Sequence, residues 1–255
     1  MQLNEVKALI TGGVSGLGLA VARKIVSEGG QAVLLDINDV AGAEAVGELG
    51  TAASYIRTDV TSEQEVQDAV NAAVNRMGLI NVAMNCAGII GAGRVLGREA
   101  PMALDFFANV IRVNLIGSFN ICKAAGAAME SNQPGSDGER GVIISTASVA
   151  ATDGQIGQAA YSASKGGIVG MTLPIAREFA RLGVRVNAIA PGIFWTPMVD
   201  GMPPHIQESL SASIPFPSRL GKPEEFADLA AHIMENGYIN GETIRLDGAV
   251  RLAPK

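Results

Sequence analysis

The apolar run Val6–Ile10 feeds straight into Thr11-Gly12-Gly13-Val14-Ser15-Gly16-Leu17-Gly18, and a helix-like segment follows. No other feature narrows the fold as much. A short buried strand, a glycine turn and a helix, in that order, make the first half of a parallel β–α–β unit. The glycines permit a tight turn, close approach of another group to the backbone, and tight packing of helix on strand. At the start of the helix, free N–H groups and the helix dipole favour a phosphate.

The same alternation continues along the chain. Strands are predicted at Val6–Ile10, Gln31–Asp36, Ala53–Thr58, Ile80–Asn85, Gly141–Thr146, Val184–Ala190 and Glu242–Leu246. Helices are predicted at 17–29, 39–49, 62–77, 105–131, 158–182 and 223–236, with Pro174 bending the fifth near Gly170. The pattern is that of an α/β, Rossmann-type, doubly wound parallel seven-stranded sheet with helices on both faces. Nothing resembling a linker or a repeat divides residues 1–255, so they read as a single dinucleotide-binding and catalytic domain. Two stretches break the rhythm, a glycine-rich connection at 88–104 and a segment at 191–222 that holds six prolines and the only tryptophan. Long loops at strand C-termini are usually functional, so these are the expected substrate loops, the second a lid with a short helix at 204–213.

Asp36 ends the second strand. A carboxylate there accepts hydrogen bonds from an adenosine ribose diol and repels a 2′-phosphate. Neither the glycine turn nor residues 37–40 contain Arg or Lys, so the expected cofactor is NAD. Gly12, Ser15, Gly16, Leu17 and Gly18 are the expected pyrophosphate contacts. Farther along, Tyr161 and Lys165 stand four residues apart on one helix face. An ammonium ~4 Å from a phenol, at an effective dielectric near 20, is worth roughly 4 kcal/mol, or about three pH units. The expectation is therefore a phenol brought from about 10 toward 7, fit to exchange protons at working pH.

Taken together, these residues resemble the short-chain dehydrogenase/reductase family along essentially the whole chain. Residues 11–18 match its glycine turn, Asp59-Val60 its adenine-contacting Asp, and Asn85-Cys86-Ala87-Gly88 its N-A-G turn, with Cys86 in place of a second Asn. The resemblance implies a catalytic tetrad of Asn114, Ser148, Tyr161 and Lys165. It also implies cofactor contacts from Asp59, Val60, Asn85, Ala87, Gly88, Tyr161, Lys165, Pro191, Gly192 and Thr196. On that reading Tyr161 takes the proton of a secondary alcohol, Ser148 orients the reacting oxygen, and Asn114 holds a relay water.

The runs Gly157-Gln158-Ala159-Ala160-Tyr161 and Pro215-Phe216-Pro217-Ser218-Arg219 are similar to the branch of the family that acts on 3-hydroxyacyl-CoA thioesters and hydroxysteroids. The implied reaction is (S)-3-hydroxyacyl-CoA to 3-oxoacyl-CoA, in fatty acid metabolism. Hydroxysteroid oxidation is the nearest alternative, and 3-oxoacyl carrier-protein reduction and a non-catalytic scaffold are more remote. Where that branch carries adjacent lysines for CoA, this chain offers Arg94 and Arg98. Gln155 and Gln158 are placed to bind a thioester carbonyl, or simply to fix their loop. Phe194, Trp195 and Met198 are candidate walls of an acyl pocket, or equally local core of the lid.

Several classes are disfavoured. A net charge of −6 without a basic block argues against nucleic acid. Apolar runs are too short to span a bilayer, and no signal peptide precedes the first strand. The two cysteines, Cys86 and Cys122, are expected to be reduced, in a cytoplasmic protein. His205 and His232 are isolated, so no metal site is expected. Small residues along 105–131 and 158–182 suit helix pairing between subunits, and the resemblance implies a homotetramer.

Overall fold

In a computed structural model, described for residues 1–135, 137–196, 199 and 203–254, seven parallel strands form one sheet in the order β3-β2-β1-β4-β5-β6-β7. The strands are β1 Lys7–Thr11, β2 Gln31–Asp36, β3 Ala53–Arg57, β4 Val82–Asn85, β5 Gly141–Thr146, β6 Val184–Pro191 and β7 Thr243–Leu246. All seven lie within two residues of their expected positions. Only 4% of the chain is aromatic, so aliphatic side chains make the core. Alternation along each strand splits them between two faces. Ala8, Ile10, Leu34, Val82, Met84 and Ile144 pack under α1 (Gly16–Ser27) and α8 (Pro223–Glu235). Leu9, Val33, Leu35, Ala83 and Ile143 pack under α3 (Glu63–Met77), α5 (Gly117–Met129) and α6 (Ala159–Phe179).

The remaining helices are α2 (Asp39–Leu49), α4 (Leu104–Ile111) and α7 (Pro204–Ala212). Asn38 caps α2 by accepting the Ala41 N–H at 3.1 Å, and Ser62 caps α3 by accepting the Glu65 N–H at 3.3 Å. Ser15 stands at the same position before α1 but makes no such bond, so the first N–H groups of that helix stay available. The order in which strands are added reverses between β1 and β4, all strands staying parallel, which opens a crevice at their C-terminal ends.

Two features of the long helices bear on function. The predicted helix 105–131 runs without a break from Leu104 to Met129, but Arg112–Ile116 is wound as a π-helical turn between α4 and α5, with Asn114 at its centre. Three glycines of these helices serve packing inside the chain, whereas Gly170 has open space beside it. A Cβ on Gly126 would lie 2.4 Å from Phe179, one on Gly117 2.6 Å from Val60, and one on Gly167 2.6 Å from Leu115. Pro174 is carried within α6, which continues to Phe179.

Candidate active site

The glycine turn lies directly against the end of β4. Gly12 has φ +61°, and a Cβ there would sit 2.8 Å from the Ala87 nitrogen. Any side chain would thus collide with the neighbouring strand end. Gly18 lets α1 close onto the turn, since its Cβ would fall 2.3 Å from the Gly12 carbonyl oxygen. Thr11 locks the two segments together, its Oγ1 accepting the N–H groups of Cys86 (3.2 Å) and Ala87 (3.1 Å). The result is a bare-backbone cradle ending in an uncapped helix, which fits a dinucleotide pyrophosphate. At its outer edge Asp36 Oδ1 accepts the Asn38 N–H at 3.1 Å, leaving its other oxygen for a ribose hydroxyl. Ile37 and Val40, 62% and 71% exposed, give this end of the crevice apolar surface.

Asp59 follows β3, where its Oδ1 accepts the Thr61 N–H at 2.9 Å; the buried Val60 packs on Gly117. Asn85 is the last residue of β4. Its side chain turns inward, donating to Ser145 Oγ at 3.0 Å, because the residue is a buried strand member between β1 and β5. Only its backbone can face a cofactor. Pro191 and Gly192 extend β6 beside β7, the Gly192 N–H reaching the Leu246 carbonyl at 2.9 Å, and Thr196 follows.

Three tetrad residues converge from β5 and α6. Beyond the end of β5, Ser148 is extended (φ −169°) and caps a 3-10 turn at Val149–Ala151, its Oγ accepting the Ala150 N–H at 3.1 Å. Tyr161 lies in the first turn of α6 and Lys165 in the next. The Lys165 ammonium is buried, donates to the Thr146 carbonyl at 2.6 Å, and stands 5.7 Å from the centre of the Tyr161 ring. Burial lowers the Lys165 pKa from 10.5 to about 8.

The expected fall of the Tyr161 pKa is not found. Burial pushes the phenol up from 10.0, and only the hydrogen bond with Ser148 pulls it down. Helical spacing puts Lys165 and Tyr161 on one face, but the ammonium is engaged by the β5 carbonyl, so desolvation of the phenolate outweighs attraction.

Asn114 fixes the loop after β4. Its Oδ1 accepts the Ile89 N–H at 2.8 Å, while Nδ2 donates to the Ile89 carbonyl (2.9 Å) and to Ser164 Oγ (3.1 Å). Both amide hydrogens are thereby used, and a relay water is left only Oδ1. Space for one is kept by Gly88, whose Cβ would lie 3.2 Å from Asn114 Oδ1 and 3.8 Å from Lys165 Nζ.

Of the two roles open to Gln155 and Gln158, the structure shows them fixing their loop. The Gln155 amide donates to the Ala253 carbonyl at 3.0 Å, and Gln158 Oε1 accepts the Gln155 N–H at 2.9 Å. Both amides hold the loop, since the C-terminal tail lies across it. Phe194 is likewise a core residue, 7% exposed and edge-on to Phe226 at 6.2 Å. Trp195 does line an open cleft of about 420 Å³, with Gln207, Glu208, Ser211 and Ser218. Met198 lies outside the described residues. Arg94 and Arg98 are exposed on the loop after β4.

One cluster has no local signal in the sequence. Arg245 on β7 binds Asp153 Oδ2 and Asp247 Oδ2, each at 2.7 Å, and Thr152 Oγ1 at 2.7 Å. It ties the loop between Ser148 and Tyr161 to the last strand. Cys86 and Cys122 are free thiols, each pushed up to about 11 by burial. Among the described residues no group of His, Cys, Asp or Glu is arranged to hold a metal.

The short chain dehydrogenase family model matches residues 6–207. The 3-hydroxyacyl-CoA dehydrogenase type-2 of Bos taurus is 52% identical, over 97% of this chain and 95% of its own length. Its namesake in Drosophila melanogaster is 46% identical, over 97% and 98%. A crystal structure of 3-hydroxyacyl-CoA dehydrogenase type-2 from Mycobacterium avium matches with a TM-score of 0.95 at 40% identity, covering 99% of this chain and 98% of that one.

Proposed function

Because the chain belongs to the short chain dehydrogenase family, and is an oxidoreductase acting on CH–OH groups, we propose that it interconverts (S)-3-hydroxyacyl-CoA and 3-oxoacyl-CoA with NAD. The observation that carries this reading is the meeting of Ser148, Tyr161 and Lys165 beside the glycine cradle, in a chain about half identical to relatives named for that reaction. Asp36 at the ribose end supports NAD over NADP.

When bound, the nicotinamide supplies the hydride acceptor for oxidation or the donor for reduction. Tyr161 Oη handles the proton of the reacting oxygen. A phenol held above its ordinary range stays protonated, which suits donation to a ketone. In the oxidising direction the same oxygen takes the alcohol proton only as the phenolate, after its own proton has left for solvent, and Ser148 stabilises the charge that develops on the reacting oxygen. Lys165 spends one donor on the Thr146 carbonyl and has two left for ribose hydroxyls. Asn114 Oδ1, next to the space kept by Gly88, is the relay point toward solvent.

The exposed apolar side chains Ile116 in the π turn, Phe119 on α5 and Leu173 on α6 support a homotetramer built through these helices. Two free, protonated thiols support a cytoplasmic setting. A panel of acyl-CoA thioesters and steroid alcohols, followed by NADH absorbance, tests the substrate. Short or branched 3-hydroxyacyl-CoA should give the highest kcat/KM; a steroid optimum with no thioester turnover would overturn the reading.

A further inference from the structure

We propose that Arg57 is a latent ligand for an adenosine 2′-phosphate, held out of use by the Asp36 carboxylate, so that neutralising Asp36 alone recruits it. This rests on the NAD reading of Asp36 and names the residue that sets how firmly the cofactor choice is held.

A base for a 2′-phosphate is absent from the glycine turn and from 37–40, but the adjacent strand brings one. Asp36 and Arg57 are register partners at the C-terminal ends of β2 and β3, so their backbones are about 4.8 Å apart. Tyr55 shares a strand face with Arg57, and its single hydroxyl hydrogen is shared between the Asp36 carbonyl and Asp39 Oδ1, each 3.0 Å from Oη. The Arg57 side chain therefore fronts the turn between β2 and α2, where a ribose held by Asp36 would lie.

The guanidinium is available. It is 57% exposed and meets carboxylates only at the limit of contact, Asp39 at 3.9 Å and Glu65 at 4.0 Å. Both acids already have closer partners, Asp39 in Tyr55 Oη and Glu65 in the Asp59 N–H at 2.9 Å. By contrast Arg23, Arg185, Arg219 and Arg245 are each fixed by carboxylate contacts of 2.8 Å or less. Exposed, long ion pairs cost little to exchange, and a phosphate offers a guanidinium the bidentate geometry it favours. The obstacle is the Asp36 charge at the same spot.

Full-length wild type, Asp36→Asn, Arg57→Gln and the double variant would be titrated by calorimetry with adenosine 2′,5′-bisphosphate and adenosine 5′-monophosphate, then with NAD and NADP. Asp36→Asn should tighten the bisphosphate relative to the monophosphate by roughly tenfold or more, the weight of one charge-assisted pair. The gain should shrink with added salt and vanish in the double variant. No gain in Asp36→Asn, or a gain that persists in the double variant, overturns the role of Arg57. A wild type that prefers NADP would overturn the NAD reading instead, and the comparison of the two Asp36 variants would still decide Arg57.

Discussion

Lys165 should make the protein less stable at neutral pH than its apolar replacement. Its pKa falls from 10.5 unfolded to about 8 folded because the ammonium is buried. At about 1.36 kcal/mol per pH unit, charging it in place costs about 3 kcal/mol at pH 7. Between pH 8 and 10.5 the unfolded chain binds more protons than the folded one, so stability rises with pH across that window. Integrating the two titrations, this group alone adds roughly 2 kcal/mol between pH 7 and 9.5. Lys165→Met keeps the length of the side chain and removes the titration. It also removes the bond to the Thr146 carbonyl, but that loss offsets the comparison without changing its pH dependence. Urea unfolding of both proteins at fixed concentration, at steps from pH 7 to 9.5, gives the difference in stability directly. The variant's advantage should be largest at pH 7 and shrink by about 2 kcal/mol at pH 9.5. A difference that stays constant over that range would refute the reasoning. Activity should be lost throughout.

Tyr161→Phe should lower turnover by about 10²–10⁴-fold while NADH affinity, read by fluorescence, changes little. Gly12→Ala places a Cβ 2.8 Å from the Ala87 nitrogen at a positive φ; cofactor binding by calorimetry should fail, and thermal unfolding should show a loss of at least about 1 kcal/mol. Arg245→Ala releases Asp153 and Thr152, so limited proteolysis should cut within 149–158 faster than in wild type. Its kcat should fall while NADH affinity holds.

How far the sequence could be read depended on the reach of each interaction. Gln31–Asp36 and Gly141–Thr146 are strands with the bounds expected of them, because a run of apolar residues between turn signals is a local cue. The glycine cradle was legible for the same reason. The π turn at Asn114 was not, since an extra residue in a helix leaves no change of composition. Arg245 and Asp153 are 92 residues apart, and nothing near either one announces the pair. Phe194 could not be decided from the sequence, because an aromatic residue in a lid-like segment has the same local pattern whether it faces a ligand or, as here, Phe226. The Tyr161 pKa failed on a different point: spacing fixes which side chains share a face, but not which of them is desolvated.

That last failure also says how the catalytic residues are held. The Lys165 charge is costly where it stands, and Ser148, Tyr161 and Lys165 would drift without external restraint. The restraints come from outside these three side chains. Asn114 clamps the loop after β4 to Ser164, one residue before Lys165. Arg245 clamps the loop after Ser148 to β7. The Gly93 N–H meets the Gly157 carbonyl at 2.8 Å, and the Ile156 N–H meets the Pro254 carbonyl at 3.0 Å. The substrate loop and the C-terminal tail are thus bonded to the same short segment that leads into Tyr161. A change of substrate loop therefore acts on the proton-transfer residue as well as on the pocket. Exchanging residues 88–104 between relatives should alter kcat and KM together, while the glycine cradle, tied separately through Thr11, keeps its cofactor affinity.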